Sequence, residues 1–383
     1  MSEPAPAWIG APPRPPQVVA LMLCGVTGLM MAGLQPLLLG ALAGEGRLAA
    51  SELGQVATAE LLCMGLTAGI AGALLPAQRL RLVALFALLT LAVADVLTPF
   101  TRGSATLALR AAAGVPSGLL VWITISLIAR TPTPERWAGA FVTAQTLGQL
   151  LMSFVIAALL PRAGADGGFL TLAILCAVNA AAALLLPPSL APLPKSATGG
   201  LPDLRGWAAL SVSFFLLGAT SAAWVYLERF SAQAHHDAAV AGQAVSLSLA
   251  FQVAGGLAAT VLAGRVSWFR VLLACAAGDL AVFAGLLLMP PAAAFFPLAA
   301  LMGFIWLFAT PFLVPMTIEA DPTRRAALLI GGAQLVGGSL GPLCASFFVT
   351  DADARGALGF SLVYVAAATV ILLAVHLARP RSV

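Results

Sequence analysis

The sequence contains few charged residues. Asp, Glu, Lys and Arg make up 9% of its 383 residues, whereas 61% of them are hydrophobic, and the mean hydropathy is +1.00. A soluble domain carries roughly 25% charged residues, so this composition excludes an ordinary water-soluble protein. Apolar runs of about 20 residues, the length that crosses a bilayer, recur along the whole chain. Lipid is therefore the predicted solvent for most of the protein.

Cysteine is scarce and shows no pairing pattern. The five cysteines lie within apolar runs and none belongs to a C-x-x-C motif, so neither a disulfide framework nor a thiolate metal site is expected. The sequence also lacks G-x-x-x-x-G-K-[ST], the motif for ATP binding through a P-loop. We expect no cofactor, no metal and no nucleic-acid partner, since the net charge of +4 fits the topology of a membrane protein.

Turn residues and charges divide the chain into twelve predicted membrane spans. Six spans are placed at about 17–43, 51–75, 82–100, 104–130, 136–160 and 167–188. Six more are placed at about 207–232, 239–263, 269–289, 294–318, 324–349 and 357–378. The predicted domains are a disordered tail over 1–16, a six-helix bundle over 17–188, a Pro/Gly/Ser-rich linker over 189–206 and a second six-helix bundle over 207–383.

The distribution of Lys and Arg predicts the orientation in the membrane. With the amino terminus inside, thirteen of these residues fall on the inner side and five on the outer side. Because positive residues accumulate in cytoplasmic loops, both termini are predicted to be cytoplasmic.

The two predicted bundles resemble each other in sequence. A shift of 189 residues superimposes a set of charged, amide and glycine residues: Arg81 on Arg270, Gly114 on Gly303, Arg136 on Arg325, Gln145 on Gln334 and Gly148 on Gly337. An ordered set of this kind indicates a duplicated six-helix unit. Parallel repeats of six spans are an established architecture of membrane transporters.

The fourth span contains one isolated charge. From Gly103 to Ala129 the only ionised side chain is Arg110. Inserting a charged side chain at the membrane centre costs roughly 2.5–3.5 kcal/mol, so such a residue usually has a partner or a function. Gly114 and Gly118 follow it at four-residue intervals. This Arg-x-x-x-Gly-x-x-x-Gly pattern resembles the fourth span of the major facilitator superfamily, and the resemblance extends over essentially the whole chain.

Two other family patterns are matched in part. The glycine-rich fifth span of the family is similar to PERWAGAFVTAQTLGQ here, and again to TRRAALLIGGAQLVGGSLGP. In the loop between spans two and three, Arg81 occupies the last position of the family motif, but Pro76 stands where that motif has an aspartate. We predict an inner gate built on four arginines near these loops, namely Arg81, Arg136, Arg270 and Arg325.

The resemblance implies that spans 1, 4, 7 and 10 line a central cavity, which Arg110 would face. Glu60 in span two is its expected partner, because both residues lie at a similar distance from the outer ends of their spans. At 1.5 Å per residue their depths agree within a few ångströms. We predict that Glu60 and Arg110 form a proton-coupling element. The alternatives are an ion pair that only joins two helices, or an arginine held by backbone carbonyls.

Aromatic and amide side chains are candidates for binding the solute. Ligand sites are mostly apolar with a few polar groups, so the predicted substrate site combines Arg110 with six further residues, which are Gln35, Trp224, Tyr226, Trp306, Gln145 and Gln334. Among the remaining acids, Asp95 is interpreted as reaching the outer interface, and Glu228 as a solvated pair with Arg229. Asp279 lies deep in span nine and has no predicted role.

The sequence does not favour an enzymatic function. GGSLG matches the G-x-S-x-G motif at Ser339, but that motif requires a strand-to-helix turn and here lies within an apolar helix. His376 is the possible partner of Ser339 and is predicted to lie more than about ten ångströms away along the membrane normal. His235, His236 and Asp237 are expected in a solvated outer loop.

The sequence therefore predicts an all-α secondary transporter of twelve helices that works by alternating access. We expect proton-coupled efflux of a small amphipathic or aromatic organic solute by a monomer in the lipid bilayer of the bacterial inner membrane. Glu60 would carry the proton and Arg110 would tune it. The alternative is uptake of an organic anion, such as an aromatic acid, with Arg110 as its counter-ion.

Overall fold

The first half of the chain forms the first six membrane passes. The computed structural model describes residues 8–132, 134–192, 202–262, 265–321 and 325–378. The helices of this half are α1 (Pro15–Gly28), α2 (Met30–Gly44), α3 (Ala50–Leu74), α4 (Leu80–Leu97), α5 (Ser104–Ile128) and α6 (Pro134–Ala183). Helices α1 and α2 form one pass with a break at Leu29, whereas α6 contains two passes that meet at Gly164, where φ is 58°.

The second half repeats this arrangement. Its helices are α7 (Leu204–Val225), α8 (Leu227–Gln233), α9 (Ala238–Leu262), α10 (Trp268–Leu287), α11 (Ala292–Ala320), α12 (Arg325–Ser346) and α13 (Arg355–Leu377). Helices α7 and α8 form one pass, broken at Tyr226 with φ −96° and ψ 5°, close to the φ −96° and ψ 2° of Leu29. The described residues form no named strand. The predicted fold class, an all-α membrane protein with twelve transmembrane helices in two bundles, is confirmed.

The outer surface of the bundles suits a lipid environment. Large apolar side chains are exposed along the peripheral helices, for example Leu82 (65%) and Phe86 (64%) on α4, and Val363 (66%) and Val370 (67%) on α13. Ten helical segments of the described chain have the length and hydropathy of a membrane span, and one of these is α6 with its two passes. Helix α12 is also long enough to cross a membrane, because its 22 residues correspond to about 33 Å of helix.

The two halves contact each other on the side of the molecule away from the termini. Helix α3 packs against α12, and the first part of α6 packs against α9. Thr58 donates a hydrogen bond to the carbonyl of Ser339, and the hydroxyls of Ser153 and Ser246 lie 2.8 Å apart. The backbone N–H of Gly54 donates to the Tyr226 hydroxyl at 3.1 Å. This side of the interface is therefore closed.

The ends of the same four helices on the terminus side are less tightly packed. Gly69 on α3, Gly256 on α9, and Gly331 and Gly332 on α12 each have open space where a Cβ atom would be. Helix α1 packs on α5 and α6 of its own half. The cleft between the halves accordingly opens toward the side that carries the termini.

Two prolines release carbonyl groups that other helices then use. Pro36 has no N–H, so the carbonyl of Ala32 lacks its partner within α2, and the indole N–H of Trp224 donates to that oxygen at 3.3 Å across the interface. Pro342 frees the carbonyl of Gly338 in the same way, and the Ser221 hydroxyl donates to it at 2.7 Å. In a membrane such groups must find a partner within the protein, so each proline creates a tertiary contact.

The predicted domain boundaries remain predictions. Part of the predicted linker, residues 193–201, lies outside the described residues, as do residues 1–7 of the tail. Within the described part of the tail, the ring of Trp8 packs edge to face on Trp137 with the centroids 5.8 Å apart. The N–H of Ile9 donates to the carbonyl of Arg130 at 3.0 Å. These tail residues lie against the first bundle.

We predict that Gly114→Ala destabilises the first bundle. A Cβ atom at residue 114 would lie 2.3 Å from the carbonyl oxygen of Glu60, so α3 and α5 must move apart at a cost of about 1–3 kcal/mol. The apparent melting temperature in detergent, followed by tryptophan fluorescence, should fall. The matched control is Gly69→Ala, which meets open space. A melting temperature that is unchanged in Gly114→Ala would contradict this account.

Candidate functional site

The spacing of Arg110, Gly114 and Gly118 places all three residues on one face of α5, since residues four apart share a helix face. That face packs on α3: a Cβ at Gly114 would meet the Glu60 carbonyl at 2.3 Å, and one at Gly118 would meet the Met64 carbonyl at 2.4 Å. The two glycines therefore allow close contact between the helix backbones, and the same face directs Arg110 toward α3.

Arg110 is held between two carboxylates. Its Nε donates to Oε2 of Glu60 at 3.1 Å, and its Nη2 pairs with Oε1 of the same residue. Its Nη1 donates to Oδ1 of Asp95 at 2.7 Å, and the Thr98 hydroxyl lies 3.4 Å from the same nitrogen. We call Glu60, Asp95 and Arg110 the ion cluster; it joins α3, α4 and α5.

The ion cluster is removed from solvent. Arg110 is 0% exposed, Asp95 2% and Glu60 3%. The ring of Phe169 from α6 lies 5.6 Å from the guanidinium carbon, which is within cation–π range. Two carboxylates and one guanidinium carry a net charge of −1 when all three are ionised. Buried charge is costly unless it is compensated, and a single bound proton would compensate this excess.

A small cavity of 10 Å³ lies beside the ion cluster. Asp95, Arg110 and Ser117 line it together with Thr27 and Gly28 at the end of α1. This is about the space that one water molecule needs. The cavity therefore lies between the ion cluster and the break in the first membrane pass.

The structure corrects the interpretation of Asp95. This residue does not reach the outer interface, because it is buried and bound to Arg110. A signal for the contact was present in the sequence. Asp95 and Arg110 lie at comparable distances on either side of the turn between spans three and four, so their depths match, as do those of Glu60 and Arg110.

The aromatic candidates Trp224, Tyr226 and Trp306 lie at the interface between the halves. Trp224 is 1% exposed, and its ring packs edge to face on the half-buried Trp306 at 5.9 Å. Tyr226 is 0% exposed and accepts from Gly54. In this closed arrangement, Trp224 and Tyr226 bridge the halves, and Trp306 is the most accessible of the three.

The amide candidates differ in environment. Gln35 is 1% exposed, and its Nε2 has no hydrogen-bond partner among the described residues. Gln145 on α6 and Gln334 on α12 are half-buried, at equivalent places on the terminus side of the two halves. Gln149, one turn after Gln145, donates to the carbonyl of Leu29 at the break between α1 and α2, 2.8 Å away.

The structure describes the side chains of two of the four predicted gate arginines. Arg81 is exposed and donates through Nε to the carbonyl of Leu186 in its own half, and Arg270 is also exposed. The side chains of Arg136 and Arg325 lie outside the described residues. The gating role of all four remains a prediction.

A second acidic residue also differs from its prediction. Glu228 on α8 does not form a solvated pair with Arg229, because neighbouring residues on a helix face different directions. Arg229 donates to the carbonyl of Asp351 at 3.0 Å, whereas Oε2 of Glu228 is buried with no hydrogen-bond partner in the part of the chain that the structure describes. Asp279 on α10 is 3% exposed, and its Oδ1 likewise has no partner among the described residues.

The serine and histidine of the enzymatic alternative have other partners. The hydroxyl of Ser339 donates to the Leu335 carbonyl within its own helix at 2.7 Å. The ring of His376 stacks on Phe269 with the centroids 3.6 Å apart. His236 lies 2.9 Å from the carbonyl of Pro290. Across the described residues, no group of three or more His, Cys, Asp or Glu could hold a metal ion.

Comparison with known proteins agrees with this architecture. No curated protein matches the chain in sequence. The chain is similar in structure to a bacterial homolog of the human lysosomal transporter Spinster, solved inward-facing and unoccupied, with 13% identity over 95% of this chain and 96% of that chain and a TM-score of 0.65. It is also similar to a variant of the nucleoside transporter NupG, with 13% identity over 94% and 99% of the chains and a TM-score of 0.69.

A family model covers most of the chain. The model described as Major Facilitator Superfamily matches residues 20–342, which include nearly all of the first bundle, the ion cluster and the second bundle as far as α12. Together with the twelve passes and the cleft between two similar halves, this match shows a multi-pass membrane transporter and not an enzyme. The chain belongs to the major facilitator superfamily.

Proposed function

We propose that this transporter exports a small amphipathic or aromatic organic solute in exchange for protons. The observation that carries the proposal is the ion cluster, in which one guanidinium is buried with two carboxylates. The excess negative charge gives a proton a defined place within the first bundle. An ion pair with one guanidinium and one carboxylate has no excess negative charge that a proton would compensate.

The proton would be shared by Glu60 and Asp95, with Arg110 holding both carboxylates. Arg110 contacts Glu60 through two nitrogens and Asp95 through one, so the bond to Asp95 can be released while the other pair stays. The adjoining 10 Å³ cavity reaches Asp95 and the end of α1. Protonation of this carboxylate would change the packing between the first pass and α4. Proton binding would in this way cause movement of the first bundle.

The solute would bind in the cleft between the halves, near Trp306. Its half-buried ring lies against Trp224, and the half-buried Gln145 and Gln334 stand on opposite halves. Apolar walls with a few polar groups are the usual composition of a ligand site. Because the outer side is closed in this structure, solute would enter from the side that carries the termini, which we propose to be cytoplasmic.

Uptake of an organic anion by Arg110 is less well supported. All three guanidinium nitrogens already have carboxylate or hydroxyl neighbours, and Arg110 is 0% exposed. An anionic solute would have to displace Glu60 or Asp95 from this place. A carboxylate left buried without its guanidinium is strongly destabilising.

We predict that Glu60→Gln and Asp95→Asn each abolish the coupling of solute to protons. Each change removes the excess charge that the proton compensates. The protein is placed in liposomes with a pH-sensitive dye, and aromatic and lipophilic acids, bases and neutral solutes are screened for proton movement. Exchange of labelled for unlabelled solute, which needs no net proton transfer, should persist. Glu52→Gln, on the same helix near its start, is the matched control and should behave as wild type.

The outcome decides between the two functions. Solute-driven proton movement that survives both substitutions would contradict the proposed coupling. Accumulation of organic anions alone, with no proton movement and with loss on Arg110→Gln, would favour the uptake alternative instead.

We predict that Arg110→Gln alone is much more damaging than neutralising the whole ion cluster. The single change leaves two buried carboxylates without a partner, at a cost of about 3–5 kcal/mol. The triple variant Glu60→Gln, Asp95→Asn, Arg110→Gln removes all of the buried charge and should recover most of the yield and melting temperature without recovering proton coupling. Equal losses of stability in the single and triple variants would contradict this charge balance.

We predict that Trp306→Ala weakens solute binding. Removing an aromatic contact is worth about 0.5–1.5 kcal/mol, so the apparent KM should rise by a few-fold to about tenfold, with a smaller effect for Trp306→Phe. Trp207→Ala is the control, since Trp207 is 44% exposed near the start of α7. An unchanged KM in Trp306→Ala would place the solute elsewhere.

A further inference from the structure

A cavity of 220 Å³ lies between the two halves on the side away from the termini. Residues of α2 and α6 line it from the first half, and residues of α8 and α9 line it from the second. The cavity reaches the exposed Gly44 and Glu45 at the end of α2. It is therefore a space within the closed part of the interface that extends to the outer ends of the helices.

The carboxyl group of Glu228 lies at this cavity, pressed against the opposite half. A Cβ atom on Gly40 of α2 would lie 2.5 Å from Oε2 of Glu228 and 2.8 Å from its Cβ, so only glycine leaves room for the acid here. Glu228 as a whole is half-buried, but its Oε2 is buried and has no hydrogen-bond partner among the described residues. A buried carboxylate oxygen without a hydrogen bond makes the ionised form costly, and closure of this side places Oε2 in that position.

The charges around Glu228 compensate it only in part. Arg229, the next residue on the same helix, attracts the carboxylate, but its guanidinium donates to the carbonyl of Asp351. From α2, Glu45 is the other acid at the cavity, and it has its own partners: Arg47 at 3.1 Å and the N–H of Ala165 at 2.7 Å. The described residues of α6 and α9 that line the cavity carry no titratable side chain.

The backbone of α2 also opposes a negative charge at this place. Helix α2 ends at Gly44, one turn after Gly40, and the carboxyl end of a helix carries a partial negative charge. A neutral carboxylic acid avoids that repulsion and the cost of burying an ion.

We propose that Glu228 is a second proton-binding site, and that its protonation favours closure of the interface on the side away from the termini. When that side opens, Gly40 and Glu228 separate and the carboxylate becomes hydrated, so that it releases its proton. By thermodynamic reciprocity, a state that binds the proton more tightly is populated more at low pH. The population of the closed state thus depends on the pH of the compartment that faces this cavity.

This assignment deepens the proposed function, because it gives the coupled proton a role in closing the transporter. The test measures conformation and requires no solute, so either proposal can fail without the other. Cysteines introduced at the exposed Arg102 and Ala239, in a version without the five native cysteines, carry spin labels across the interface. Double electron–electron resonance in lipid nanodiscs then gives the populations of the closed and open forms.

In the wild type we expect the ratio of closed to open populations to rise by about fivefold or more between about pH 8 and about pH 5. Glu228→Gln should be mostly closed at every pH, without that response. Glu228→Asp keeps an ionisable group and should retain the response. Glu45→Gln, at the same cavity, is the matched control and should also retain it.

Three results would overturn the assignment: a wild type whose distances do not depend on pH, a Glu228→Gln variant that keeps the wild-type response, or a Glu228→Asp variant that behaves like Glu228→Gln. The third would show that the length of the side chain, and not its proton, controls closure. Loss of the response in Glu60→Gln with its retention in Glu228→Gln would transfer the role to the ion cluster.

Discussion

The contact on which the first bundle depends is a guanidinium buried between two carboxylates. Arg110 joins α3, α4 and α5 through Glu60 and Asp95, and it can do so because Gly114 and Gly118 let α5 lie against the backbone of α3. In lipid there is little hydrophobic force to hold one helix to another, so close packing and polar contacts take its place. The same three groups carry a net charge of −1 when all are ionised. The ion cluster that stabilises the bundle is therefore also suited to binding a proton.

The interface between the halves is held by a different kind of contact. Its polar interactions among the described residues are single hydrogen bonds, such as Thr58 to Ser339 and Trp224 to Ala32, and they are accompanied by apolar packing and close glycine contacts. A typical hydrogen bond contributes only about 0.5–1.5 kcal/mol, whereas breaking a buried ion pair costs several times more. Each half can therefore move as a unit while the interface opens, which is what alternating access requires. Pro36 leaves the carbonyl of Ala32 without a hydrogen-bond partner in its own helix. Trp224 donates to this oxygen from the other half, so the missing bond becomes a contact between the halves.

The ion cluster and Glu228 represent the two ways in which we propose that this protein holds a proton. In the ion cluster a proton would compensate the excess negative charge of groups that keep their partners. At Glu228 it would neutralise a carboxylate whose Oε2 has no hydrogen-bond partner among the described residues in the closed interface. The first site is internal to one bundle and the second lies between bundles, so the second changes its environment most directly when the halves move. A transporter that combines them can connect proton binding inside a bundle to closure of the interface outside it.

The sequence by itself determined the solvent, the number of membrane passes, the duplicated halves and the matching depths of Glu60 and Arg110. Composition, the length of apolar runs and the helical rise fix these features without any tertiary contact. Tertiary structure decided the partners of Asp95, Glu228 and Trp224. The face that each helix presents could not be predicted from the sequence, because lipid and protein interior are both apolar and leave little amphipathic pattern to show which face is buried. A charge in a span can therefore be found from sequence, whereas its neighbours depend on how the helices are rotated and packed.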